Sequence, residues 1–194
     1  MLFRSAEFSP DGTRIVTGSG AGDGTVRIWD LEGRELHRFF DADFVPVSDA
    51  EFDPSGSRIV VARNNGRLDV IDEYGRPLDW DYLGHMQGGV TFASFSPDGL
   101  SIVSASNEHA ALIGTQKSPR IPLVGHQLAV TCARFSPDGT LVATASDDHT
   151  ARIWDLSGHE VSRLLGHAAG VESVQFSPDR SEEHTSELQS RLHL

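Results

Sequence analysis

A chain of 194 residues, 38% apolar and 8% aromatic, can bury a core, but its apolar runs stay short of the roughly 18 residues of a membrane-spanning helix. A net charge of −12, from 16 basic and 28 acidic residues without a lysine or arginine run, argues against a phosphate-backbone footprint, so neither nucleic acid nor membrane is an expected partner. The single cysteine, Cys132, excludes an internal disulfide and a thiolate metal cluster, and its apolar alternation predicts a small buried side chain.

The phrase Phe-Ser-Pro-Asp-Gly organises the chain. It stands at Phe8–Gly12, returns as Phe52-Asp53-Pro54-Ser55-Gly56, then at Phe95–Gly99 and Phe135–Gly139, and breaks off after Phe176–Asp179. Intervals of 44, 43, 40 and 41 residues between these phenylalanines imply stacked supersecondary units in a solenoid or propeller.

The first repeat, residues 1–42, opens directly on a strand, Phe3 to Phe8. Gly18-Ser19-Gly20-Ala21-Gly22 lacks the lysine and helix of a phosphate-binding loop and reads as a two-residue insertion in a turn. The second repeat spans 43–83 and the third 84–124. Trp80-Asp81, only four residues before Gly84-His85, is assigned to the outer strand of the second.

The fourth repeat, 125–165, is the best preserved. Val130–Phe135 alternates as a strand, Ser136–Gly139 supplies a turn with Pro second and Gly fourth, and Leu141–Ala145 is the next strand. Asp147–Thr150 turns the chain into Ala151–Asp155, and Ser157–His159 into Glu160–Leu165. Four short antiparallel strands in about 40 residues make one propeller blade. The fifth repeat, 166–179, begins a further blade.

Gly125-His126 followed by Trp154-Asp155, together with the Ser-Pro-Asp-Gly and Asp-Asp-x-Thr phrases, resembles the WD40 repeat family across residues 1–179. TolB-type propellers also repeat Phe-Ser-Pro-Asp-Gly but lack the Gly-His and Trp-Asp pair. The resemblance implies an all-β propeller: an open arc of four four-stranded blades plus the first strand of a fifth. Residues 180–190, from Arg180 to Ser190, resemble a translated sequencing adapter, so 180–194 is expected to be a non-native tail and the chain a fragment.

His126, Thr144 and Asp148 could be taken for a hydroxyl nucleophile with base and orienting acid. The family pattern implies instead a structural chain in which Trp154 donates to Thr144, which meets His126, which donates to Asp148. The first blade keeps Thr17, Asp23 and Trp29. The second has Ala42-Asp43, Val61, Asn65 and Ile71 at the matching places. The third keeps His85 and Ser104, with Glu108 for the acid and Gly114 for the Trp. Blades two and three are therefore expected to rely on apolar packing alone.

The sequence carries no catalytic, cofactor or metal-ligand constellation, which predicts a non-enzymatic protein without cofactor. The expected role is a scaffold binding a protein or peptide on the propeller face, where loop residues Phe44, Asn64, Met86, Gln87, His109, Leu128 and His149 would converge. The alternative is a regulatory propeller within a larger enzyme, such as a kinase or a nucleotide-hydrolysing switch. Met1-Leu2-Phe3-Arg4 shows no secretory signal, which favours the cytoplasm.

Overall fold

The computed structural model describes residues 3–40, 43–80, 85, 88–116, 120–177 and 192–193. Blade one consists of β1 (Phe3–Phe8), β2 (Arg14–Ser19), β3 (Thr25–Asp30) and β4 (Glu35–Phe40), antiparallel in that order. Blade two contains β5 (Val47–Phe52), β6 (Arg58–Arg63) and β7 (Leu68–Asp72). Blade three runs β8 (Val90–Phe95), β9 (Ser101–Ser106), β10 (Ala110–Thr115) and β11 (Ile121–Val124). Blade four runs β12 (Val130–Phe135), β13 (Leu141–Ser146), β14 (Ala151–Asp155) and β15 (Glu160–Leu164). No helix among the described residues is long and apolar enough to cross a membrane.

The turn chemistry explains the repeated strand pairs. In Ser136–Gly139 the Gly139 amide donates to Ser136 O at 2.8 Å, the Ser136 hydroxyl donates to Asp138 at 2.6 Å, and Asp138 also accepts the Thr140 amide. The glycine sits at φ 70°, in the left-handed region where a Cβ would be costly. That turn leads β12 back into β13 with Phe135 opposite Val142. The turn between the third and fourth strands has its own cap, since Asp155 accepts the Ser157 and His159 amides, both at 2.9 Å, while Asp30 and Asp72 do the same in blades one and two.

Among the described residues blade two has three named strands where four were expected. Beyond β7 the described chain forms an isolated bridge, Ile71 to Pro77, flanked by bonds from the Asp72 amide to Arg76 O and from the Leu78 amide to Val70 O. Trp80 therefore belongs to no strand, and Asp81 lies outside the described residues. Pro77 offers no amide to a ladder, as Pro122 offers none within β11, and the pairing resumes at Leu78. The Trp80 ring instead packs edge-on against Phe95 of blade three, 5.8 Å between centroids. The start of the fifth blade also differs from expectation: β16 (Gln175–Phe176) pairs with β17 (Leu192–His193), giving the supposed tail a strand partner.

The core lies between blades rather than within them. Val16, Ile28, Val47, Phe52, Ile59 and Val61 join blade one to blade two. Val60, Leu68, Val70, Val90, Phe95 and Ile102 join two to three, and Val103, Ile113, Leu123, Val130, Val142 and Trp154 join three to four. Beyond blade four, Val171 and Val174 pack on Ala143, Ala145 and Ile153, with buried Cys132 beneath them.

Two arginines fasten successive seams at the Ser-Pro-Asp-Gly end. Arg14 donates to Gly56 O of the next blade at 2.9 Å and lies over Phe52, and Arg58 donates to Gly99 O at 2.8 Å while covering both Trp80 and Phe95. Arg58 also pairs with Asp53, which is 1% exposed. Substituting Arg58→Met keeps the apolar stem but removes these bonds, and is expected to destabilise by about 2 kcal/mol. Urea unfolding followed by Trp80 emission measures it, and an unchanged midpoint refutes the staple.

Candidate functional site

The residues that looked like a catalytic triad meet in blade four. A carboxylate can only accept, so Asp148, 2.8 Å from His126 Nδ1, fixes the proton on that nitrogen. His126 Nε2 is then an acceptor and takes the Thr144 hydroxyl at 2.7 Å, whose oxygen receives the Trp154 indole N–H at 2.8 Å. This is the order of groups in a nucleophile relay. Thr144 is 0% exposed and Trp154 1% exposed, however, and the hydroxyl oxygen already takes a hydrogen bond, so no substrate carbonyl can reach it. The arrangement is a buried tie between the loop before β12, the strand β13 and the strand β14.

Electrostatics agree with a tie. Burial lowers the His126 pKa, outweighing the carboxylate beside it, so the ring stays neutral. Burial alone would raise the Asp148 pKa, but donors from Thr150, the Gln127 amide and His126 prevail and hold its carboxyl well below the usual range. Arg152 adds a 3.6 Å contact to Asp148 and a 2.8 Å bond to Glu160, which in turn binds Arg163. Blade one repeats this outer network with Arg27, Asp23, Glu35 and Arg38.

The other blades keep parts of the tie. In blade one Trp29 donates to Thr17 at 2.8 Å, and Asp23 turns to Arg27. In blade three His85 Nε2 lies 3.1 Å from Ser104, but Glu108 stands 3.8 Å from Nδ1 and its other oxygen, Oε1, is buried without a hydrogen-bond partner. Blade two replaces the tie with Arg63, which donates to Asp69 at 2.8 Å and to Val45 O at 3.2 Å. Blades two and three thus do not depend on apolar packing alone, because strand arginine and histidine residues restore polar crosslinks at these places.

The loop residues proposed for partner contact occupy the opposite end of the blades from the Ser-Pro-Asp-Gly turns. In blades two, three and four the turn between second and third strands touches the loop entering the first strand: the Asn64 amide donates to Pro46 O, the Asn107 amide to Gly89 O, and the Asp147 amide to Ala129 O. Phe44, Asn64, His109, Leu128 and His149 are all exposed there, whereas Met86 and Gln87 lie outside the described residues. Three of them, Phe44, His109 and His149, hold φ of 50°, 66° and 68°, a left-handed geometry that Gly24 and Gly66 supply in blades one and two. The sequence signal was that His109 and His149 align with those glycines.

A second cluster escaped the sequence reading. Glu7, Asp49 and Arg134 line a cavity of about 530 Å³ along the first strands, with Glu51 3.4 Å from Arg134. Burial pushes Asp49 up to about 6, with the Glu7 charge adding to it and the Ala93 amide opposing. Burial likewise raises Glu51, reinforced by Glu7, and raises Glu7 against the pull of Arg134. The signal lay in the residue before each of the first four repeated phenylalanines, which reads Glu7, Glu51, Ser94 and Arg134. Among the described residues no three histidine, cysteine or carboxylate side chains form a metal-sized group.

Successive antiparallel blades, the fourth tied by a complete Trp–Thr–His–Asp chain, define a β-propeller of the WD type. The family model described as "WD domain, G-beta repeat" matches residues 3–30, 79–112 and 117–155, more than half of the chain, and the chain belongs to this family. It is similar to Denticleless protein homolog B of Xenopus laevis, 33% identical over 134 residues, covering 57% of this chain and 18% of that protein. Denticleless protein homolog A of the same organism is 32% identical over 134 residues, with the same coverage. The chain thus spans less than a fifth of the length of these relatives.

Proposed function

We propose that the chain is a non-catalytic interaction scaffold that binds a protein or peptide on the loop face opposite the Ser-Pro-Asp-Gly turns. The observation that carries this reading is the contrast between its polar groups. The hydroxyl, imidazole and carboxylate that could do chemistry are buried and consumed by one another, while Phe44, Leu128 and His149 are presented to solvent on left-handed or tightly bonded turns. Rigid exposed loops on a packed frame suit recognition, because little entropy is lost when a partner docks.

A photo-crosslinking side chain placed at Leu128 or His149 is expected to capture one discrete partner protein. The same group at Leu31, exposed at the opposite end of blade one, should not. Equal labelling from both ends, or none from the loop face, overturns the assignment.

A further inference from the structure

We propose that Phe40, Asp43 and Phe44 form a cation-receptive step at the seam of blades one and two, which accepts an arginine or lysine side chain from an extended segment of a partner protein. It deepens the scaffold role and rests on it.

Phe40 ends β4 and Phe44 lies on the connection into β5. Their rings are 64% and 60% exposed, nearly parallel at 4°, with centroids 6.2 Å apart. The equivalent residues in blades three and four, Val124 and Leu165, are exposed too but have no π face. Phe44 takes φ 50°, a conformation that costs an aromatic residue about 1 kcal/mol or more and that a glycine would adopt freely. Its backbone is also clamped, since a Cβ on Gly24 would stand 2.7 Å from Phe44 O. The ring is therefore held outward on a rigid peptide instead of folding onto the core.

Charge decides the kind of occupant. Asp43 is exposed next to Phe44, with no ion pair or hydrogen bond to another described residue. Elsewhere the chain covers its own aromatic faces with guanidinium groups: Arg14 over Phe52, Arg58 over Trp80 and Phe95, Arg76 over Tyr74, and Arg134 over Phe92, at 4.7–5.8 Å. Among the described residues no such group covers Phe40 or Phe44. Two π faces with an adjacent carboxylate on a chain of net charge −12 attract a cation, and they repel the phosphates that would accompany a stacked base.

The test uses the full chain with ring-labelled phenylalanine and short acetylated Gly-Ser-Arg-Gly-Ser peptides, in which the arginine is replaced by citrulline or norleucine in the controls. The arginine peptide is expected to shift the Phe40 and Phe44 ring resonances, and citrulline to abolish the shift. Phe44→Asn, which suits the left-handed backbone, and Phe40→Ala should each weaken binding about fivefold. Asp43→Asn should flatten its salt dependence. Equal binding of the norleucine peptide or of oligothymidine, or unchanged affinity in Phe44→Asn, overturns the proposal. If all peptides fail while crosslinks from Leu128 or His149 persist, this site is wrong and the scaffold role stands; if both fail, the scaffold role falls with it.

Discussion

Replacing Asp148 by alanine is expected to destabilise blade four by about 3 kcal/mol, among the largest single effects open to a side chain that is not itself apolar core. The carboxylate accepts from His126 Nδ1, from the Gln127 and Thr150 amides and from the Thr150 hydroxyl, and it faces Arg152. Its removal leaves the His126 N–H, on a side chain that is 0% exposed, with only the Thr150 hydroxyl oxygen at 3.4 Å, and deprives Arg152 of one of its two counter-charges. Asp148→Asn keeps an accepting oxygen and should cost less than half as much. Urea unfolding followed by Trp154 emission, with Trp29 and Trp80 replaced by phenylalanine, gives the number; a loss below about 1 kcal/mol would show that the tie contributes only geometry.

The second large effect is a dependence on pH. Asp49 is pushed up to about 6 from an ordinary 3.8, so between these values the folded chain holds a proton that the unfolded chain releases. Its contribution to stability is therefore present at low pH and fades as pH rises towards 6, by about 3 kcal/mol in total. His85 and His126, both lowered by burial, act in the other direction: the unfolded chain takes up protons first as pH falls below 6.5, and stability drops. Wild-type chain and Asp49→Asn share the histidines, so the difference between their urea midpoints reports Asp49 together with its influence on Glu51. The variant should gain on the wild type from pH 4 to 7. A difference that is flat across this range contradicts the buried-proton account of the cluster.

The periodic features of the fold were legible because they depend on local chemistry. Ser136-Pro137-Asp138-Gly139 can make its turn with no knowledge of the rest of the chain, and the strands on either side follow from alternation. Trp80 was assigned to the outer strand of blade two from its distance to Gly84-His85, whereas the use of its indole is set by Phe95 in the next blade, which local spacing does not reveal. Arg14 and Arg58 were passed over for the same reason, since their acceptors, Gly56 O and Gly99 O, are 42 and 41 residues away. The cluster around Glu7, Asp49, Glu51 and Arg134 became visible only when the first strands of blades one, two and four stood side by side. One residue type in a fixed phase of the repeat would have shown a ring, whereas acidic, neutral and basic residues alternating there showed none.

Because the apolar clusters lie between adjacent blades, apolar packing couples neighbouring blades, and distant ones meet, among the described residues, only in the charged cluster around Arg134. Such a molecule stores its cohesion as a series of independent joints. A defect is therefore contained by its two nearest joints: Ile71 stands where a tryptophan tie would be, Gly114 does so again one blade later, and neither loss reaches the complete tie at Trp154. That containment allows the repeats to diverge one at a time, leaving each blade free to change its outward loops while the joints on either side hold it in the stack.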